Sequence, residues 1–231
     1  MAPSGAVGAT TELLPDLKAL RLRKIYLETT EDGQRRLRFN SIVANVGTGP
    51  FQVMGTRRST SVARMKSVTQ QIVAATGAVA RSLRTSAAMY LGRDGHDHWH
   101  LRDLETFRLI RTDDGTWSGV AEKHGFCFYD NYVFNPALPN SPPAGVHLGC
   151  GGEGDLRVVA GLSVGWADKY SHLLPDQYID VSDVASGRYR LVYGVDVQDH
   201  FVESREDNNR SCVNLVIGQA SVSVSSYGCG L

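Results

Sequence analysis

The chain has 231 residues, with Lys plus Arg and Asp plus Glu numbering 24 each. That length can bury a real core in one large sandwich or barrel, and a net charge of zero gives no sign of a nucleic-acid or anionic-membrane partner. No run approaches the roughly 18 apolar residues of a spanning helix, and the opening Met1-Ala-Pro-Ser-Gly lacks the charged and apolar regions of a signal peptide, so an export signal is expected to have been removed or never needed.

In chain order, residues 1–12 are small and polar and are expected to be disordered. Ile25 to Thr30 and Arg36 to Val46 are rich in strand formers and flank Glu31-Asp32-Gly33, a strong hairpin signal; Asn45-Val46-Gly47-Thr48-Gly49-Pro50 ends the second strand. Phe51 to Tyr90 fits either strands or a short helix, and strands leading into the next motif are expected.

That motif is Arg93-Asp94-Gly95-His96-Asp97-His98-Trp99-His100-Leu101, which holds three of the seven histidines. In an extended strand alternate side chains share a face, so His96, His98 and His100 can converge while Asp97, Trp99 and Leu101 face away. Imidazole suits copper, zinc, iron and nickel, and three His with open positions is a pattern for chemistry; structural zinc usually takes four closed ligands. A solvated His-rich loop is the plainer alternative.

After His100, Phe107 to Arg111 and Trp117 to Ala121 flank Asp113-Asp114-Gly115 as another hairpin, followed by a strand bearing Lys123 and Cys127. Phe134 to Gly154, rich in Pro, Gly and Asn, is a loop. Tyr178-Ile-Asp-Val follows, then Gly187 to Val197 with clean alternation, a polar turn over Glu203 to Asn209, and Ser211 to Ile217 as the last long strand. Close turns without a sustained 3.6-residue period indicate an all-β fold, a single antiparallel β-sandwich with long loops. The four cysteines, Cys127, Cys150, Cys212 and Cys229, are too widely spaced for a zinc ribbon. Two disulfides fit better, and they point to an oxidising compartment and hence a secreted or extracellular protein.

Two further segments narrow the chemistry: Val120-Ala-Glu-Lys123-His124-Gly-Phe126-Cys127, and Trp166-Ala-Asp168-Lys-Tyr170-Ser-His172 running on to Ile179-Asp180-Val-Ser-Asp183-Val184. With the HxHxH motif they resemble the catalytic domain of the lysyl oxidase family, in which a Lys stands three residues before a Phe-Cys pair and a Tyr precedes an Ile-Asp-Ile-Thr-Asp-Val-like strand. The likeness extends over roughly residues 13–229. It takes in Leu14-Pro-Asp-Leu17, Leu37-Arg-Phe, Asn45-Val-Gly-Thr and the turn from Val202-Glu-Ser to Asp207-Asn-Asn.

The resemblance implies a catalytic domain over 13–231, a copper ion on His96, His98 and His100, and a self-made cofactor, lysyl tyrosylquinone, joined from Lys123 and Tyr170. It further implies pairing of Cys127 with Cys150 and of Cys212 with Cys229. The implied reaction is oxidative deamination of a primary amine, lysine or peptidyl lysine, to an aldehyde, with dioxygen as oxidant and hydrogen peroxide and ammonia as products; the quinone is the electron sink. The partners are then an amine and dioxygen, not nucleic acid or membrane, and a monomer is expected.

For the base, His172 shares the face of Tyr170 if the segment is extended, with His124 and Asp168 as alternatives. His147 and His200 are expected to be solvated, and Trp99 and Trp166 to be core or pocket wall. Where animal members crowd Trp and Cys around the metal motif, Tyr90-Leu-Gly-Arg-Asp-Gly stands here, and the full animal disulfide set is absent. Two competing functions are a non-catalytic metal-binding β-sandwich interaction module, with the histidines holding a zinc staple, and a mononuclear copper oxygenase using only the triad.

Overall fold

The computed structural model describes residues 11–92 and 97–229. Every described element is a strand, and every pairing is antiparallel, in four sheets of five, four, five and six strands. The all-β expectation is met. Both expected hairpins form: Arg23–Thr29 pairs with Arg35–Asn45, turning at Gly33 with φ of 88° where a side chain would be strained, and Glu105–Arg111 pairs with Trp117–Val120. The ambiguous stretch resolves into the strands Phe51–Thr56, Arg64–Met65, Ser67–Ala74, Val79–Arg84 and Met89–Leu91. In Ser67–Ala74 the β-branched Val68, Thr69, Ile72 and Val73 favour the pleat over a helix, and the strand is buried continuously from Gln70 to Ala74.

Arg35–Asn45 is the central strand. It pairs with Leu17–Ala19 and Arg23–Thr29, and with Trp166–Tyr170 and Tyr178–Asp180. Its inward residues Leu37, Phe39, Ser41 and Val43 are fully buried, and Phe39 packs on Phe107 at 4.9 Å between ring centroids. Phe107 in turn stacks on Tyr193 at 4.9 Å, which joins the central strand to Glu105–Arg111 and Gly187–Val195 through one apolar core.

Asn45 ends the central strand for a physical reason. Its Oδ1 accepts from the Asp16 and Gly47 amides, and its Nδ2 donates to the Gly49 and Leu162 carbonyls, so one buried amide satisfies four backbone groups where the ladder stops. The long loop after Phe134 is held similarly: buried Asp130 accepts from the Val146, His147 and Ser163 amides and from the Ser163 hydroxyl.

Both disulfides are formed as the resemblance implied, Cys127–Cys150 with Cα atoms 5.7 Å apart and Cys212–Cys229 at 4.9 Å. The second fastens Val222–Tyr227, a strand beyond Ile217 that pairs with Arg210–Ile217, so the last long strand has a further neighbour. No helix among the described residues is long and apolar enough to cross a membrane.

Candidate active site

Three short elements bring the motif residues together. Trp99–Arg102 pairs on one side with Met89–Leu91, setting His100 opposite Tyr90, and on the other with Gly125–Phe126, setting Leu101 opposite Phe126. The strand is anchored from behind: the Trp99 amide donates to the Cys150 carbonyl at 3.1 Å, and its fully buried indole donates to the Gly152 carbonyl at 2.9 Å. Arg57 caps the indole at 4.7 Å. Trp99 is therefore core, as expected, and the Cys127–Cys150 loop supports the histidine strand.

His96 lies outside the described residues. Of the triad, His98 and His100 turn to the same place: their Nε2 atoms stand 2.9 Å apart, with ring centroids 4.5 Å apart, and His100 is buried against Tyr90. Two nitrogens on one tetrahedral ion at about 2.0–2.1 Å stand about 3.3 Å apart. The pair therefore needs only a small relaxation to share a metal, and its donor chemistry fits copper or zinc. Among the described residues no group of three His, Cys, Asp or Glu side chains converges. Gly125 makes the packing possible, because a Cβ there would meet the Tyr90 hydroxyl at 1.9 Å and the His100 Cβ at 2.9 Å.

Lys123 lies just before Gly125, off the strand, and is buried. Its Nζ is 5.0 Å from the centroid of the Tyr170 ring and 5.4 Å from that of Phe126. Tyr170 ends the Trp166–Tyr170 strand opposite Ser41, on the inward face. Its hydroxyl accepts from the Cys127 amide at 2.7 Å and donates to the Cys127 carbonyl at 3.0 Å. The backbone following Gly125–Phe126 thus fixes the ring that faces Lys123. Phe126 packs edge-on against Tyr170 at 5.3 Å.

Two buried carboxyls sit in this neighbourhood. Asp168, opposite Val43 on the same face as Tyr170, takes the Asn131 amide on one oxygen and has no hydrogen bond on the other. Glu105 is 1% exposed, and among the described residues its polar neighbours are the Tyr193 and Ser41 hydroxyls. Burial pushes Glu105 up to about 7, with nearby Tyr193, Ser41 and the Lys123 charge pulling partly back. Burial and then the charge of Glu105 raise Asp168 well above the usual carboxylate range. Tyr170 is raised as well, by burial first and then by Asp168 and Glu105. A cluster that cannot keep two anions holds protons at neutral pH and can exchange them with groups inside it.

Glu105 is the site residue that the motifs do not signal. Its signal lies in parity: Glu105, Phe107 and Leu109 alternate inward along one strand, so an acid occupies a core position.

The other candidates fall elsewhere. The strand ends at Tyr170, so the shared face expected for His172 is lost in the turn that follows. Its backbone amide and Nδ1 both meet the Asn40 Oδ1, at 2.6 and 2.7 Å, and its ring lies edge-on to Tyr26. His124 is exposed and bonds the Asp103 carboxylate at 2.8 Å. His147, expected in solvent, is buried because Asp130 draws its loop inward; that burial lowers its imidazole, with Asp130 opposing. His200 is not without a partner either, since it meets the Ser86 hydroxyl at 2.7 Å.

The family profile described as lysyl oxidase matches residues 56–229, more than half of the chain. Lysyl oxidase homolog 3 of Homo sapiens is 25% identical over 178 residues, which cover 77% of this chain and 18% of that relative. Lysyl oxidase homolog 2 of Xenopus tropicalis is 25% identical over 126 residues, 54% of this chain and 15% of that relative. The matched stretch thus covers under a fifth of the length of these relatives. With the match covering both the histidine strand and the Lys123 and Tyr170 segments, the chain belongs to the lysyl oxidase family.

Proposed function

We propose that residues 13–231 form a copper-dependent amine oxidase domain, that His96, His98 and His100 hold the copper, and that Lys123 and Tyr170 are the precursors of lysyl tyrosylquinone. The observation that carries this reading is the approach of the Lys123 amine to the Tyr170 ring, at 5.0 Å from its centroid, beside the strand that carries His98 and His100. When present, copper and the quinone supply the redox chemistry by which a primary amine becomes an aldehyde at the expense of dioxygen.

The chain's own residues do the rest. The Cys127 backbone holds the Tyr170 hydroxyl from both sides, so the ring cannot flip away from Lys123. Phe126 and the surrounding core keep bulk water from the ring. Asp168 and Glu105 are the proton reservoir: each is buried in the core and held above the ordinary carboxylate range. Of the three bases considered, Asp168 is the one buried on the Tyr170 face, so it replaces His172 as the proton-exchanging residue of this reading. The substrates are a primary amine of lysine or peptidyl-lysine type and dioxygen. Two disulfides favour a secreted, extracellular setting.

The test is peroxide release by copper-loaded protein against a panel of primary amines. Tyr170→Phe and Lys123→Ala are each expected to reduce amine-dependent peroxide to background while metal content stays at the parent level. Full activity in either variant would contradict the cofactor assignment.

A further inference from the structure

Zero net charge hides an uneven distribution. A cleft of about 1040 Å³ is lined by Lys18, Arg21, Arg23, Lys24, Lys169 and Arg210, and among the described residues no Asp or Glu lines it. All six cations are exposed. Among the described residues the ion pairs lie elsewhere, on Arg38, Arg81, Arg102, Arg111, His124 and Arg205.

Strand register explains the convergence. Along the central strand Ser41 and Val43 point inward, opposite Tyr170 and Asp168, whereas Asn40 and Ile42 point outward. Arg23 is opposite Asn40, Lys169 is opposite Ile42, and Lys18 is opposite Ala44, so the three cations share the outward face. Lys18 and Arg23 come from strands on one side of the central strand and Lys169 from the other. The two banks are therefore about 10 Å apart, twice the strand spacing, with Asn40 and Ile42 as the floor. Arg21, Lys24 and Arg210 extend the charge beyond the channel.

The structure assigns this channel, we propose, to an anionic polysaccharide, a carboxylated or sulfated sugar chain lying along the outer face of the sheet whose inner face carries Tyr170. Small-ligand pockets are mostly apolar with few polar groups, and this one is open and lined by cations, which suits a polymer. Single-stranded nucleic acid needs open aromatic faces for its bases. Here the two exposed rings each carry a cation over one face, Arg21 over Tyr227 at 4.8 Å and Lys169 over Tyr132 at 5.7 Å, which competes with a stacked base. A bilayer is flat where the channel is concave, and none of the lining residues is an exposed aliphatic side chain to insert. An acidic peptide would meet a sheet face whose backbone groups are already paired, and so would gain no ladder. A sugar polymer asks for what is present: cations along both banks, and the hydroxyls and amide of Tyr132, Tyr227, Ser211 and Asn40 between them.

The inference is independent of the proposed catalysis and is tested by binding alone. Affinity is measured for a heparin oligosaccharide, poly-glutamate, oligothymidylate and phosphatidylserine vesicles at low and physiological salt. The oligosaccharide is expected to bind most tightly and to weaken with salt. The charge reversals Lys18→Glu, Arg23→Glu and Lys169→Glu combined should weaken it at least tenfold. An equal change of net charge elsewhere, Lys66→Glu, Arg84→Glu and Arg188→Glu combined, should change it less than twofold. The single exposed changes Lys18→Ala and Lys169→Ala, with thermal unfolding as the folding control, give the same ranking if the triple variant fails to fold. Equal loss in both triples, no loss in the cleft variants, or tighter binding of any of the other three probes would overturn the proposal.

Discussion

Glu105 carries a stability signature of its own. Its carboxyl stands at about 7 in the folded protein against an ordinary 4.5. Below pH 4.5 both folded and unfolded states hold the proton, so the group contributes no penalty there. As pH rises the unfolded carboxyl ionises first, and stability falls until about pH 7, by about 3 kcal/mol at roughly 1.36 kcal/mol per unit. Glu105→Gln is expected to flatten that decline in denaturant unfolding followed between pH 4.5 and 7; an unchanged slope would place the missing protons on other groups. Gly125 gives a second prediction at this scale. Gly125→Ala must displace the Tyr90 ring or His100, so bound metal should fall to a small fraction of the parent's in a metal-content assay even where the protein folds.

The histidine strand depends on a loop that is distant in sequence. Cys127–Cys150 closes a loop with a sequence separation of 23, and the Cys150 and Gly152 carbonyls accept the two hydrogen bonds from Trp99. Replacing both cysteines by Ser is expected to lower unfolding stability by about 3 kcal/mol on the chain-entropy account. Hydrogen exchange should rise first at Trp99 and His100; if it stays at the parent level there, the loop does not support the strand.

Much of the element structure is written locally. Asp32-Gly33 and Asp113-Asp114-Gly115 mark their hairpins because turn geometry is a property of a few residues. Several strands escape such patterns, two of six residues among them. Arg157–Leu162 follows a Gly-rich stretch and is defined by its pairing with Phe51–Thr56, and Val222–Tyr227 is Ser-rich and mostly exposed, held by its neighbour and a disulfide. His172 shows the same limit in the site: sharing a face with Tyr170 required the strand to continue, and it stops.

Across the whole molecule, one strand sets two surfaces. The inward face of Arg35–Asn45 meets Tyr170, Asp168 and the core, while its outward face floors the cationic channel. Lys123 and Tyr170 could be nominated from motifs, but their approach depends on Gly125–Phe126 pairing with the histidine strand and on the Cys127 backbone gripping the Tyr170 hydroxyl, both of which are tertiary facts. The channel depends on register across strands far apart in sequence and has no contiguous signature, whereas Glu105 shows only as an acid at an inward position of one strand. The most direct test of the central claim is peptide mass spectrometry of protein matured with copper and dioxygen. The account predicts a covalently joined species containing the peptides of Lys123 and Tyr170, absent from Tyr170→Phe. Active, copper-matured protein that yields the two peptides only as separate species would contradict it.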